Sequence, residues 1–124
     1  ISQVAAEAAL NGDQSCLIPM VKAFRERHVF VVNELNKIPG LKCLMAGGAF
    51  YAFPDARKAI ATLHQRGIIT TATDIALSEY LLVEAGVAVV PGSAFGSEGY
   101  IRLSFATSMD NLRNALERIA KALA

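Results

Sequence analysis

Few side chains in this 124-residue chain are placed to do chemistry, and Arg102 is the first of them. It stands in YIRLSFATS, residues 100–108, where strand alternation puts Ile101, Leu103 and Phe105 on one face and Tyr100, Arg102, Ser104 and Ala106 on the other. On pattern alone the arginine belongs to the wet face of a half-buried sheet, because Arg is rarely buried without a partner. If that second face is covered, the guanidinium becomes a fork that holds a carboxylate through two parallel hydrogen bonds. Lysine does not reproduce that geometry.

Other reactive side chains are less promising. His28, His64, Cys16 and Cys43 lie far apart, without the paired spacing of zinc ligands, and read as helix surface or core edge. Ser93 and Ser97 stand in a loop, outside any G-x-S-x-G elbow. Gly92, Gly96 and Gly99 are not spaced as G-x-G-x-x-G and precede a strand instead of a helix, so a plain mobile loop is expected there, not a phosphate cradle. Phe50 and Tyr51, in GGAFYAF, read as core aromatics, with one of them lining a pocket as the alternative.

The elements that must position these residues follow from periodicity. Residues 2–10 form a short helix stopped by Asn11-Gly12. Asp13 is placed to cap a long second helix with apolar positions Met20, Val21, Phe24, Val31, Val32, Leu35 and Ile38, ended by Pro39-Gly40; Pro19 implies a kink or a start near Ile18. Residues 42–45 are a strand candidate, Gly47-Gly48 a turn, and 49–53 a buried strand. A helix carrying Ala56, Ala59, Ile60 and Leu63 closes at Gly67, and 68–73 is left as a loop. Thr73 or Asp74 caps a helix through Ala85 that Gly86 terminates, and VAVV, residues 87–90, reads as a strand buried on both faces. Thr107-x-x-Asp110 caps a last helix with Leu112, Ala115, Leu116, Ile119 and Leu123 on one stripe. The expected fold is α+β: a small mixed or antiparallel sheet covered by helices and preceded by a long connecting helix.

Composition narrows the function. The chain is 53% hydrophobic with a formal charge of +1, long enough for one core and too short for two full domains. Twelve basic and eleven acidic residues, without a block of either sign, leave no footprint for nucleic acid or an anionic membrane. The longest uncharged stretch, residues 85–97, is shorter than the roughly 20 apolar residues of a bilayer span. With two cysteines a disulfide framework is not expected and a reducing cytoplasm is. Ile1 followed at once by a helix-like segment suggests a piece of something larger.

The order KAFRERHVFVVNELNKIPG, GGAFYAFPD, SEYLLVEAGVAVVPGSAFG, YIRLSFATS and a closing helix resembles the C-terminal part of class I aminotransferases, fold type I pyridoxal-phosphate enzymes of the aspartate aminotransferase type. The resemblance covers nearly the whole chain. It implies that residues 1–36 are the end of a large domain plus the connecting helix, and that 37–124 are the small domain. It also implies that Arg102 grips the substrate α-carboxylate, that Phe50 lies beside the substrate, and that residues 93–95 move when the site closes. Substrates would be an amino acid, aspartate by default with prephenate-type or aromatic compounds as options, and a 2-oxo acid such as 2-oxoglutarate. The full-length form would be a homodimer containing the missing large domain.

Two departures stand out. Pro19 interrupts a helix that relatives keep continuous, and His28-Val29 replaces a more charged pair. The five lysines, Lys22, Lys37, Lys42, Lys58 and Lys121, match none of the local context of the family's cofactor lysine, so no catalytic or cofactor-binding residue is expected in this chain and the chain alone is expected to be inactive. A stand-alone module that binds a carboxylate metabolite, or one that only dimerises, is the competing reading.

Overall fold

A computed structural model describes all residues, Ile1–Ala124. Five α-helices, α1 (Ser2–Asn11), α2 (Leu17–Leu35), α3 (Arg57–Gln65), α4 (Asp74–Ala85) and α5 (Met109–Leu123), alternate with three short strands, β1 (Tyr51–Ala52), β2 (Val90–Pro91) and β3 (Ile101–Ser104). The sheet is antiparallel with β3 central, in the order β1-β3-β2. The α+β expectation therefore holds.

Alternation along β3 sorts the core. Ile101, Leu103 and Phe105 are buried, together with Ala52, which pairs with Leu103. They meet Val31, Val32 and Leu35 of α2, Leu63 of α3, Leu77 and Leu81 of α4, and the α5 stripe Leu112, Leu116, Ile119 and Leu123. Helices cover this face of the sheet only, and the other stays open, as antiparallel sheets allow. No helix is long and apolar enough to cross a membrane.

Helix ends have local causes. The Thr73 hydroxyl accepts the Ala76 N–H at 3.2 Å to cap α4. Gly86, at φ 62°, ends α4 in the left-handed region by donating to the Leu81 carbonyl. Pro19 falls at the third residue of α2, where no intrahelical partner is needed for an N–H, so the helix starts just before it and the alternative of a kink is not needed.

Several expectations are corrected. Asp13 does not cap α2; its carboxylate accepts the Ser15 N–H at 2.9 Å and the Ser15 hydroxyl in a local turn, and Cys16 precedes the helix. The helix ends at Leu35, not at Pro39, and Ile38 is buried from the following turn. Residues 42–45 contribute a single bridge, Lys42 to Asp55. Beside it the Asn36 side chain accepts the Cys43 N–H at 2.8 Å and donates to the Cys43 carbonyl at 2.9 Å, standing where a neighbouring strand would. The VAVV run is not buried on both faces: Val87 is buried, Ala88 exposed, and only Val90 and Pro91 pair. An edge position tolerates Pro91, which has no N–H to give to a ladder. Ser108, not Thr107, caps α5 by accepting the Asn111 N–H at 3.2 Å.

Residues 49–53 are not one buried strand: only Tyr51 and Ala52 form β1, only Ala52 is buried, and Phe50 and Tyr51 are not core aromatics, Phe50 being exposed and Tyr51 half-buried. Phe50 accepts from the Phe105 N–H at 2.9 Å and Pro54 from that of Ile101 at 3.2 Å, which prolongs the pairing beyond β1. Gly47 and Gly48 are not left-handed; Ala49, at φ 65°, is. Most of α1 and the first half of α2 lie free: α1 buries no residue, and Leu17, Ile18, Met20 and Val21 are exposed.

Candidate functional site

Arg102 sits opposite Val90 in the middle strand, on the open face of the sheet. Its guanidinium carbon lies 4.5 Å from the centroid of Tyr51 and 4.2 Å from that of Phe95. Tyr51 reaches it from the β1 side; Phe95 comes from the 3-10 turn Gly92–Phe95 that follows β2. Stacking on the π faces restrains the planar group while its N–H donors, which radiate in the plane, stay available. The ion pairs of the chain join Lys37 to Glu34, Arg57 to Asp55 and Arg113 to Asp110, and Arg102 has no carboxylate of its own.

A row of aromatic rings extends from this centre. Phe50, 43% exposed, packs on Tyr51 with centroids 4.2 Å apart and meets Phe24 of α2 at 6.4 Å. On the other side, Phe53 stands edge-on to Phe95 at 6.3 Å and stacks on Tyr100 at 5.3 Å. Arg57 lies over the Tyr100 ring at 5.6 Å. Its fork is filled: Nε donates to both Asp55 oxygens at 3.0 and 3.1 Å, and a terminal nitrogen donates to Oδ2 at 2.5 Å. That hydrogen bonding holds the Asp55 carboxyl below the usual carboxylate range and raises Arg57.

The remaining candidates are structural. His28 is buried, stacks on Phe105 at 5.1 Å, and its Nε2 accepts the Ala46 N–H at 3.4 Å. His64 is exposed on α3, Cys16 is exposed, and Cys43 is buried, where loss of hydration raises its thiol pKa. Ser97 donates its N–H to the Gly92 carbonyl at 3.0 Å, which closes the loop. Gly92 is required there because a Cβ would stand 2.4 Å from the Ser97 oxygen. Ser93 donates its N–H to the carboxylate of Asp74 at 2.6 Å.

The structure does not place Phe50 against Arg102: Phe50 is opposite Phe105 in the pairing and packs on Phe24 of α2 and on Tyr51, and only Tyr51 and Phe95 meet the guanidinium. Sequence reasoning missed Tyr51 and Phe95 as partners of the arginine. The signal was an aromatic in each neighbouring segment, but alternation does not say which ring a loop delivers. What the arrangement can do is hold a carboxylate edge-on, in the plane of the guanidinium, at an open surface. A separate hollow of about 350 Å³ lies between α2 and the loop 45–49 and does not include Arg102.

A family model described as "Aminotransferase class I and II" matches residues 1–119. The chain is 62% identical over 123 residues to an aspartate/prephenate aminotransferase of Nitrosomonas europaea, covering 99% of this chain and 31% of that protein. An aspartate aminotransferase of Rhizobium meliloti superposes with a TM-score of 0.83 at 40% identity, over 98% of this chain and 30% of that structure. An alanine aminotransferase of Pyrococcus furiosus gives 0.84 at 30% identity, over 98% and 29%. The chain spans about three-tenths of the length of these relatives.

Proposed function

The chain belongs to the class I and II aminotransferases, and on that premise we propose that it is the C-terminal portion of an enzyme that moves an amino group between an L-amino acid and a 2-oxo acid. Aspartate is the first choice of amino acid, with prephenate next, on the name of the Nitrosomonas relative, and 2-oxoglutarate is the 2-oxo acid the family resemblance implies. Residues 1–36 would be the end of a large domain and the connecting helix, and 37–124 the small domain. The exposed apolar residues of α1 and early α2 support that division, since another part of the enzyme would cover them. The whole enzyme would be a cytoplasmic homodimer.

The observation that carries the reading is the unfilled fork of Arg102, held by Tyr51 and Phe95. Arg102 would take the substrate α-carboxylate through two parallel hydrogen bonds, and Phe50 would shape the space beside it. Holding the carboxylate fixes the rotation about Cα, which decides which of its bonds is broken.

Pyridoxal phosphate is the family's cofactor, but this chain's residues do not fit it by themselves. All five lysines are exposed, Lys37 is paired with Glu34, and none lies on β1 to β3. The isolated chain would therefore be inactive. The test is Arg102→Ala in the full-length enzyme. Catalytic efficiency for both amino acid and oxo acid should fall roughly a hundredfold, the scale of losing a charge-assisted bidentate contact, with cofactor absorbance retained. Unchanged kinetics would remove the assignment.

A further inference from the structure

Asp74 opens α4, far from β3 in sequence, yet it is 3% exposed and carries a carboxylate with no basic partner among the ion pairs. Its Oδ2 accepts the N–H of Ser93 at 2.6 Å. Ser93 lies in the 3-10 turn that ends in Phe95, the ring 4.2 Å from the Arg102 guanidinium. The residue before Ser93, Gly92, donates to the carbonyl of Tyr100, just ahead of β3, at 2.8 Å. Two anchors therefore set where Phe95 stands, and one of them is Asp74.

Capping does not account for this carboxylate, because the Thr73 hydroxyl already caps α4. Burial alone would push the Asp74 carboxyl up. The amide and hydroxyl of Ser93, with the amides of Asp74 and Ile75, outweigh burial and leave it below the usual range. The anion is thus held in place by the turn that it holds.

We propose that Asp74 is a positioning residue for the carboxylate clamp: through Ser93 it fixes the turn that presses Phe95 on Arg102, so that the guanidinium waits in one orientation. This rests on the reading of Arg102 given above. A restrained fork loses less freedom on binding, so Asp74 contributes to carboxylate affinity without touching substrate.

The experiment uses the full-length enzyme with aspartate and 2-oxoglutarate, and Arg102→Ala as the control. Asp74→Ala should raise KM for both substrates about tenfold with kcat little changed, while Asp74→Asn, which keeps an acceptor oxygen for the Ser93 N–H, should stay within about threefold of the parent. Phe95→Ala should give the same KM rise as Asp74→Ala, and because Phe95 is 48% exposed it decides the matter if Asp74→Ala does not fold. A lowered melting temperature with unchanged KM in Asp74→Ala, an Asp74→Asn loss equal to that of Asp74→Ala, or an unchanged KM in Phe95→Ala would each overturn the link. If Arg102→Ala leaves both KM values unaltered, the clamp itself fails. If Arg102→Ala raises them and the Asp74 and Phe95 variants do not, only the positioning role fails.

Discussion

Along β3, Ile101, Leu103 and Phe105 are enclosed by helices, while Arg102, between the first two, is half-buried against two aromatic rings. A second contrast lies on the open side itself, where Arg57 beside Tyr100 has its fork filled by Asp55 and Arg102 has no acid at all. The inner face is explained by the chain's own packing. Arg57 is explained by a charge within the chain. Arg102 is a half-buried cation held between two rings with no acid of the chain in its fork, the feature on which the proposed carboxylate clamp rests.

The contrast between the faces can be broken by truncation. Phe105→Ala should remove about 3–5 kcal/mol of stability in chemical denaturation, as for large core aromatics. Arg102→Ala should cost less than about 1 kcal/mol, the scale of its cation–π contacts at a partly open site. Comparable losses would mean that Arg102 is a structural residue.

An acid titration of stability sharpens the comparison next. The folded-state pKa of Asp74 lies below its unfolded value, so its stabilisation is fully present above the ordinary carboxylate pKa of about 3.9. It is lost as pH falls through the depressed value. Asp74→Asn should flatten the stability profile below about pH 4 and leave its neutral-pH slope unchanged. The smallest effect is expected at Ala49, whose φ of 65° strains a residue with a Cβ at the entrance to Phe50. Ala49→Gly should stabilise by no more than about 1 kcal/mol, the left-handed penalty less the added freedom of the unfolded chain, read from the denaturation midpoint.

What was legible in the sequence was what neighbours in sequence decide. The inner row of β3, the α5 stripe and the Gly86 stop follow from periodicity and from one residue's tolerance of positive φ. The open face of Arg102 was legible as a position; its rings were not, because Phe95 arrives through a turn. The strand expected at 42–45 failed because Asn36, seven residues away, supplies Cys43 with side-chain hydrogen bonds instead of a ladder. The cap of α5 moved by one residue because Thr107 and Ser108 both carry hydroxyls and only the fold chooses between them. Thr107 instead accepts the Asn111 side-chain amide at 3.0 Å. Asp74 had no local signal beyond its place at a helix start, since its partner lies 19 residues on.

The two arginines give the most direct test. In the full-length enzyme, Arg102→Lys and Arg57→Lys each keep a positive charge and lose the planar fork. A carboxylate clamp at Arg102 predicts that KM for the amino acid and the oxo acid rises at least about tenfold in the first variant and changes less than about twofold in the second. Equal KM values in both variants, or a larger rise in Arg57→Lys, would contradict it.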